Sequence, residues 1–121
     1  MSKEKRELDT LWAKTVKDRD EWTCQLCGMS LHKIGGHANA HHILKKQSYR
    51  LRYDLLNGVC LCQGCHRFGV HSEDGAVALE HLTKLKRKLG PARWKYLEDL
   101  KQDKRKLALA EAREMLERDG Q

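Results

Sequence analysis

Two Cys-x-x-Cys pairs, Cys24/Cys27 and Cys62/Cys65, stand 34 residues apart and constrain the fold more than any other feature of the chain. Each pair can present two thiolates to one ion, and two such turns complete the closed tetrahedron of a structural zinc. The segments that carry them must then meet in space. The composition calls for such a staple: of 121 residues, 40% are hydrophobic, 6% aromatic and 34% charged, a poor basis for a large core. Five cysteines including two such pairs read, in a reducing compartment, as metal ligation and not as a disulfide framework. The alternatives are free thiols or a redox pair, and the chain lacks the thioredoxin-like alternation of strands and helices that a redox pair would need. Cys60, in the apolar run Val59-Cys60-Leu61-Cys62, reads as a buried free thiol. It could compete with Cys62 as a ligand, but Cys60-x4-Cys65 is a poorer knuckle.

Around the pairs the periodicities are mostly helical. Leu8, Leu11, Trp12, Thr15, Val16 and Arg19 recur at i, i+3, i+4 and predict a helix over residues 2–20 that Ser2 can cap. Trp22 to Ser30 reads as a tight metal-binding turn, Gly35-Gly36 as a loop, and Ala38 to Leu44 as a short strand. Lys45 to Asn57 has no clear period and is expected to be a long loop or irregular hairpin with its basic residues facing solvent. Val59 to Cys62 suits a second strand, with the turn Gln63-Gly64 and a short helix from about Cys65. Ser72 or Asp74 can cap a helix with Ala78, Leu82, Leu85 and Leu89 on one face. Gly90-Pro91 stops it and starts another through Trp94, Leu97 and Leu100. Leu107 to Leu116 stays helical with a weak apolar stripe and a frayed end. The expectation is a small α+β protein, one domain over residues 1–121: an N-terminal helix (2–20), a zinc-stapled core (22–72) and basic C-terminal helices (73–121), the last protruding. No apolar run approaches the roughly 20 residues of a membrane span, and no apolar signal segment opens the chain. A soluble, cytoplasmic protein without a membrane partner is expected.

The formal net charge is +7, and it can be located. Lys84 to Lys106 holds ten basic residues and three acids, and the remainder balances at 14 of each sign. A second basic tract interleaves Lys45, Lys46, Arg50 and Arg52 with Tyr49 and Tyr53. Such stretches suit phosphate contact, with a tyrosine packing on sugar or base, and point to a polyanion such as a nucleic acid as partner. The candidate nucleic-acid-contacting residues are Lys45, Lys46, Arg50, Arg52, Lys84, Lys86, Arg87 and Lys88; the bland reading of each is a solvated face. Lys101 to Lys106 is open to the same two readings.

Histidines cluster between and after the cysteines: His41-His42, then His66 directly after Cys65, then His71, with Asn57 between. Adjacent strand residues point to opposite faces, so His41 and His42 cannot do the same job; one can hold a metal while the other serves as a base. If the Cys60/Cys62 strand pairs back on His41-His42 and the following helix packs across, His66 reaches the same pocket. His32, His37 and His81 have no partner logic and read as surface or DNA-facing residues.

The run His42, Asn57, His66, framed by the two cysteine pairs, resembles the HNH endonucleases, and the resemblance covers residues 22–72. The layout Trp22 to Gly28, Ala40 to Ile43 and Asn57 to His66 is similar to HNH proteins of phages. More loosely, the flanking helices resemble those of NinG-type recombination nucleases. The resemblance implies a ββα-metal core, two antiparallel strands and a helix around one catalytic divalent ion (Mg, Mn or Ni), beside the structural zinc of Cys24, Cys27, Cys62 and Cys65. It implies His42 as general base on the attacking water, His41 and His66 as metal ligands, and Asn57 as the residue that holds the His42 strand in place. The family places a further ligand four residues after His66; here that is Val70, with His71 at five. On a regular α-helix five residues turn through about 500°, which puts His71 about 140° from His66. Either Gly69 lets the backbone deviate enough for His71 to reach, or water takes the position.

The expected activity is hydrolysis of DNA phosphodiester bonds, in a host cytoplasm if the chain is phage-encoded, with phage packaging or recombination proteins as further partners. The rivals are a non-catalytic zinc module that binds DNA or protein, and a structure-selective nuclease acting on branched recombination DNA.

Overall fold

A computed structural model describes residues 1–32 and 37–119, so the Gly35-Gly36 loop lies outside the described residues. Helix α1 (Lys3–Arg19) starts where the sequence places it: the Ser2 side chain accepts the Lys5 N–H at 3.2 Å. Leu8, Trp12 and Val16, one per turn on one face, are its buried residues. The chain then reverses through Glu21 and Trp22, both in the left-handed region (φ 56° and 52°), and enters the first cysteine turn. That turn closes with Gly28, at φ +78°, and a bridge between Thr23 and Ser30.

Strands β1 (Ala38–His42) and β2 (Gly58–Cys62) form a two-stranded antiparallel sheet, with Ala38 opposite Cys62 and His42 opposite Gly58. Every residue of β2 is buried, as expected of a strand covered on both faces. Helix α1 packs on the sheet and comes so close to Gly58 that a Cβ there would meet Trp12 at 2.5 Å and Val16 at 2.6 Å. The π-helix that follows β2, Gly64–Val70, and α3 (Gly75–Leu89) pack against one another. One core cluster joins the cysteine turns, β2, Val70 and Leu85; a second joins Leu8, Trp12 and Val16 to Tyr53, Leu107, Ala112 and Leu116. Asp74, not Ser72, caps α3, accepting from the N–H groups of Ala76 and Val77. Gly90, at φ +86°, separates α3 from α4 (Pro91–Gln102), and α5 (Leu109–Asp119) ends the described chain.

Two expectations are corrected. The tract from Lys45 to Asn57 is not a plain loop: it holds a short helix α2 (Tyr49–Tyr53), capped by Ser48, and a 3-10 turn (Leu55–Asn57). Lys45 and Lys46 do face solvent, but Arg50 and Arg52 do not. Arg52 binds Asp9 of α1 at 2.6 Å, and Arg50 donates to the carbonyl of Arg105 at 2.7 Å and pairs with Asp103. Nor does α5 protrude, since Ala112 and Leu116 are buried against the α1 cluster. Its buried face includes the small Ala112, which a count of large apolar residues does not detect.

Candidate functional site

The two cysteine turns meet. One ligand atom from each of Cys24, Cys27, Cys62 and Cys65 lies within 4.8 Å of the others, and the Cys27 and Cys62 sulfurs are 3.8 Å apart. Both turns fold the same way: the Cys27 N–H points at Cys24 Sγ (3.5 Å) and the Cys65 N–H at Cys62 Sγ (3.3 Å), bonds that favour the thiolate form. Burial works to raise the pKa of Cys24, yet backbone N–H groups of Cys27, Cys62 and Leu26 outweigh it and bring it down to about 7. Cys27 and Cys65 are pushed up, by burial first and then by neighbouring thiols. Four crowded thiols cannot all ionise without a cation among them, so the donor set fits a structural zinc, which these residues could hold. Cys60 lies outside the cluster, fully buried in β2, where burial and then the Asp20 carboxylate raise its thiol to about 11.

Beyond the cysteines, His41, His66 and His71 bring one ring nitrogen each within 4.8 Å of one another. Their ring centroids are 5.2, 5.1 and 4.6 Å apart in near-perpendicular pairs. His71 reaches the group because the turn after Cys65 is a π-helix: the His71 N–H bonds the His66 carbonyl five residues back, at 3.1 Å. This resolves the offset of an α-helical reading in favour of contact. Gly69 lets this turn lie close against α3. A Cβ there would meet the His81 ring at 2.6 Å, and His81 is itself anchored on α3 by an Nδ1 bond to the Val77 carbonyl at 2.8 Å. His81 is therefore a packing residue of the site and not a surface one; Gly69, six residues before the Gly75 start of α3, was the sequence signal for a close approach.

The three imidazoles grade from buried His41 to exposed His71, so the group is open on one side. His41 Nε2 is buried without a hydrogen-bond partner. Burial, then the His66 and His71 charges, hold the His41 pKa down at about 3, and burial followed by His71 lowers that of His66. Both rings are neutral at pH 7, the form that ligates metal. An orphaned, neutral ring nitrogen beside two others fits a metal ion.

His42 faces the other way, stacked on Trp12 with ring centroids 3.9 Å apart and planes 6° from parallel. Its Nε2 lies 2.9 Å from the Arg52 carbonyl, which can only accept; Nε2 therefore carries the proton and Nδ1 the lone pair. Burial, with Lys46 and Arg52 as further charges, lowers the His42 pKa against the pull of that carbonyl. Arg52 thus serves twice, its side chain on Asp9 of α1 and its carbonyl on His42. Fully buried Asn57 fastens the strand end: Oδ1 accepts from Leu44 N–H at 2.9 Å, and Nδ2 donates to the carbonyls of Leu44 (3.0 Å) and Leu51 (2.8 Å).

A cleft of about 570 Å3 runs across the end of β1 and is lined by His41, His42, His66, His71, Lys45 and Lys46. The remaining candidates lie elsewhere. Lys84, Lys86, Arg87 and Lys88 are exposed on α3 and do not line this cleft; Arg50 and Arg52 are used inside the fold. His37 lies in a separate depression with His66 and His71, outside the three-histidine group. No helix among the described residues is long and apolar enough to cross a membrane. In comparisons with known proteins the chain matches no family model, no curated protein and no solved structure.

Proposed function

We propose that the protein is a metal-dependent endonuclease of the HNH type that hydrolyses DNA phosphodiester bonds. The observation that carries this reading is the shared cleft: three converging imidazoles, one with an orphaned buried nitrogen, and a fourth whose tautomer leaves Nδ1 free to take a proton. A non-catalytic zinc module would need only the cysteines. It would have no use for an unpartnered His41 nitrogen.

In this reading β1, β2 and the π-helix form the ββα-metal core, and His41, His66 and His71 hold a divalent ion. Such an ion supplies Lewis-acid stabilisation of charge on the scissile phosphate and the leaving oxygen. Three imidazoles without a carboxylate suit Ni or Zn better than Mg or Mn. His42 accepts the proton of the attacking water at Nδ1; its lowered pKa keeps it unprotonated at pH 7, and the Trp12 stack and Arg52 carbonyl fix its plane. Lys45 and Lys46 place ammonium groups on the cleft wall, where phosphate oxygens can be held. Asn57 is a positioning residue: it touches only backbone and holds the β1 end that carries both histidines.

The reading is tested by incubating supercoiled plasmid with the zinc-loaded protein and Mn, Ni or Mg. Nicking is expected, stopped by EDTA, and His42→Ala is expected to lower the rate by at least about 100-fold while retaining zinc and fold. Undiminished cleavage by His42→Ala would remove His42 as the base.

A further inference from the structure

A second cleft, of about 550 Å3, opens between the segment around α2 and the chain joining α4 to α5. Eight basic side chains and one acidic one line it. Three of the basic groups are committed within the fold: Arg52 to Asp9, and Arg50 and Arg105 to Asp103, the only acid on the walls among the described residues. Lys5, Lys46, Lys101, Lys104 and Lys106 remain, and none forms an ion pair among the described residues. They come from α1, the segment before α2, the end of α4 and the α4–α5 connection, so distant parts of the chain contribute one sign of charge to one concavity. Like charges gathered in this way repel, a cost to the fold that a bound polyanion offsets.

Lys46 lines both this groove and the histidine cleft, so the two concavities join at one residue. A small anion would occupy one end. A phosphodiester backbone, with one charge per strand for every ~3.4 Å of helix axis, is a ligand that can place one phosphate among the histidines and further ones beside successive lysines. The other basic stretch differs. Lys86 and Arg87 open onto a third cleft that Glu98 and Asp99 also line. Lys86 sits over the Trp94 ring at 4.9 Å much as Lys5 of the groove sits over Tyr49 at 5.4 Å, but the Lys88 ammonium also donates to the Leu26 carbonyl at 2.7 Å, a hydrogen bond of a kind that none of the five groove lysines makes among the described residues.

We infer that the backbone of DNA engaged in the histidine cleft continues through the groove of Lys5, Lys46, Lys101, Lys104 and Lys106, and that the α3 residues Lys84 to Lys88 are not its track. The groove deepens the nuclease reading and rests on it for the identity of the polyanion.

The test compares four zinc-loaded proteins: the parent, Lys101→Gln/Lys104→Gln/Lys106→Gln, Lys84→Gln/Lys86→Gln/Arg87→Gln, and Lys→Arg at the three groove positions. All six substituted side chains are exposed. Affinity for a fluorescein-labelled DNA duplex is read by anisotropy across a sodium chloride series, and plasmid nicking is measured on the same preparations. The groove variant is expected to bind about tenfold or more weakly at moderate salt, and its log K against log salt slope to fall by about 2.7, the counterion release of three phosphate contacts. The α3 variant should stay within about twofold of the parent, and Lys→Arg at the three groove positions should restore binding. Parent-like binding by the groove variant, or equal losses in the two variants, overturns the track. Binding that depends on the groove without nicking by the parent keeps the track and removes the nuclease; nicking with groove-independent binding does the reverse. A parent that does not bind DNA overturns both.

Discussion

Replacing Asn57 by alanine would leave the N–H of Leu44 and the carbonyls of Leu44 and Leu51 without their partner at a site with no solvent exposure. The expected loss of stability is about 3 kcal/mol, measured by urea unfolding. Asn57→Asp should be no better, since a carboxylate would face two carbonyls in place of a donor. Asp9 gives a pH signature. Burial works to raise its pKa, but the hydrogen bond and charge of Arg52 leave it below its ordinary 3.8. Its folded pKa is thus the lower one, so its contribution is complete above that ordinary value and fades as the pH falls through the folded pKa. The stability gap between the parent and Asp9→Asn should therefore be widest near neutrality and close in acid, followed by thermal melts across pH; a gap that widens in acid would contradict the assignment. The cysteine cluster was legible in the sequence because the spacing of paired thiols restricts where their turns can meet, and the buried Asn57 and the histidine group followed from the resemblance. Arg50 and Arg52 were not legible, because their partners Asp103 and Asp9 are far along the chain and a local charge pattern cannot show the pairing.

Among the elements, the π-helix decides whether two or three imidazoles converge. Stepping 100° per residue puts His71 on the wrong side of His66. One wider turn corrects this, and a periodicity counted at 100° per residue cannot show it. Gly69→Ala drives a Cβ into the His81 ring, so the turn or α3 must shift. The expected result is a loss of about tenfold or more in affinity for the exchangeable ion, read by calorimetric titration, with the cysteine-bound zinc retained. Unchanged affinity would show that the turn does not position His71. Helix α2 escaped the periodicity because five residues are too few to show one; Ser48, which accepts the Leu51 N–H at 3.3 Å, was its one readable signal.

Across the whole molecule, a small core is divided between two clusters with β2 between two layers of helix, and the cysteine turns tie the first cluster together. The sequence places the net charge of +7 in the C-terminal third but not its division between a groove whose five lysines form no ion pair among the described residues and an α3 face that shares its cleft with Glu98 and Asp99, which depends on where Lys5, Lys46 and Asp103 come to lie. Two kinds of metal position in one chain, a closed thiolate cage and an open imidazole group, are what would distinguish a nuclease from a scaffold. The direct measurement is the metal content of the intact protein, dialysed free of loose ions and then titrated with Co2+, for the parent and His41→Ala. One zinc per chain should survive dialysis and one further ion should bind reversibly, the second absent in His41→Ala. A single ion per chain at every Co2+ concentration, or a second ion indifferent to His41→Ala, would contradict the three-histidine site.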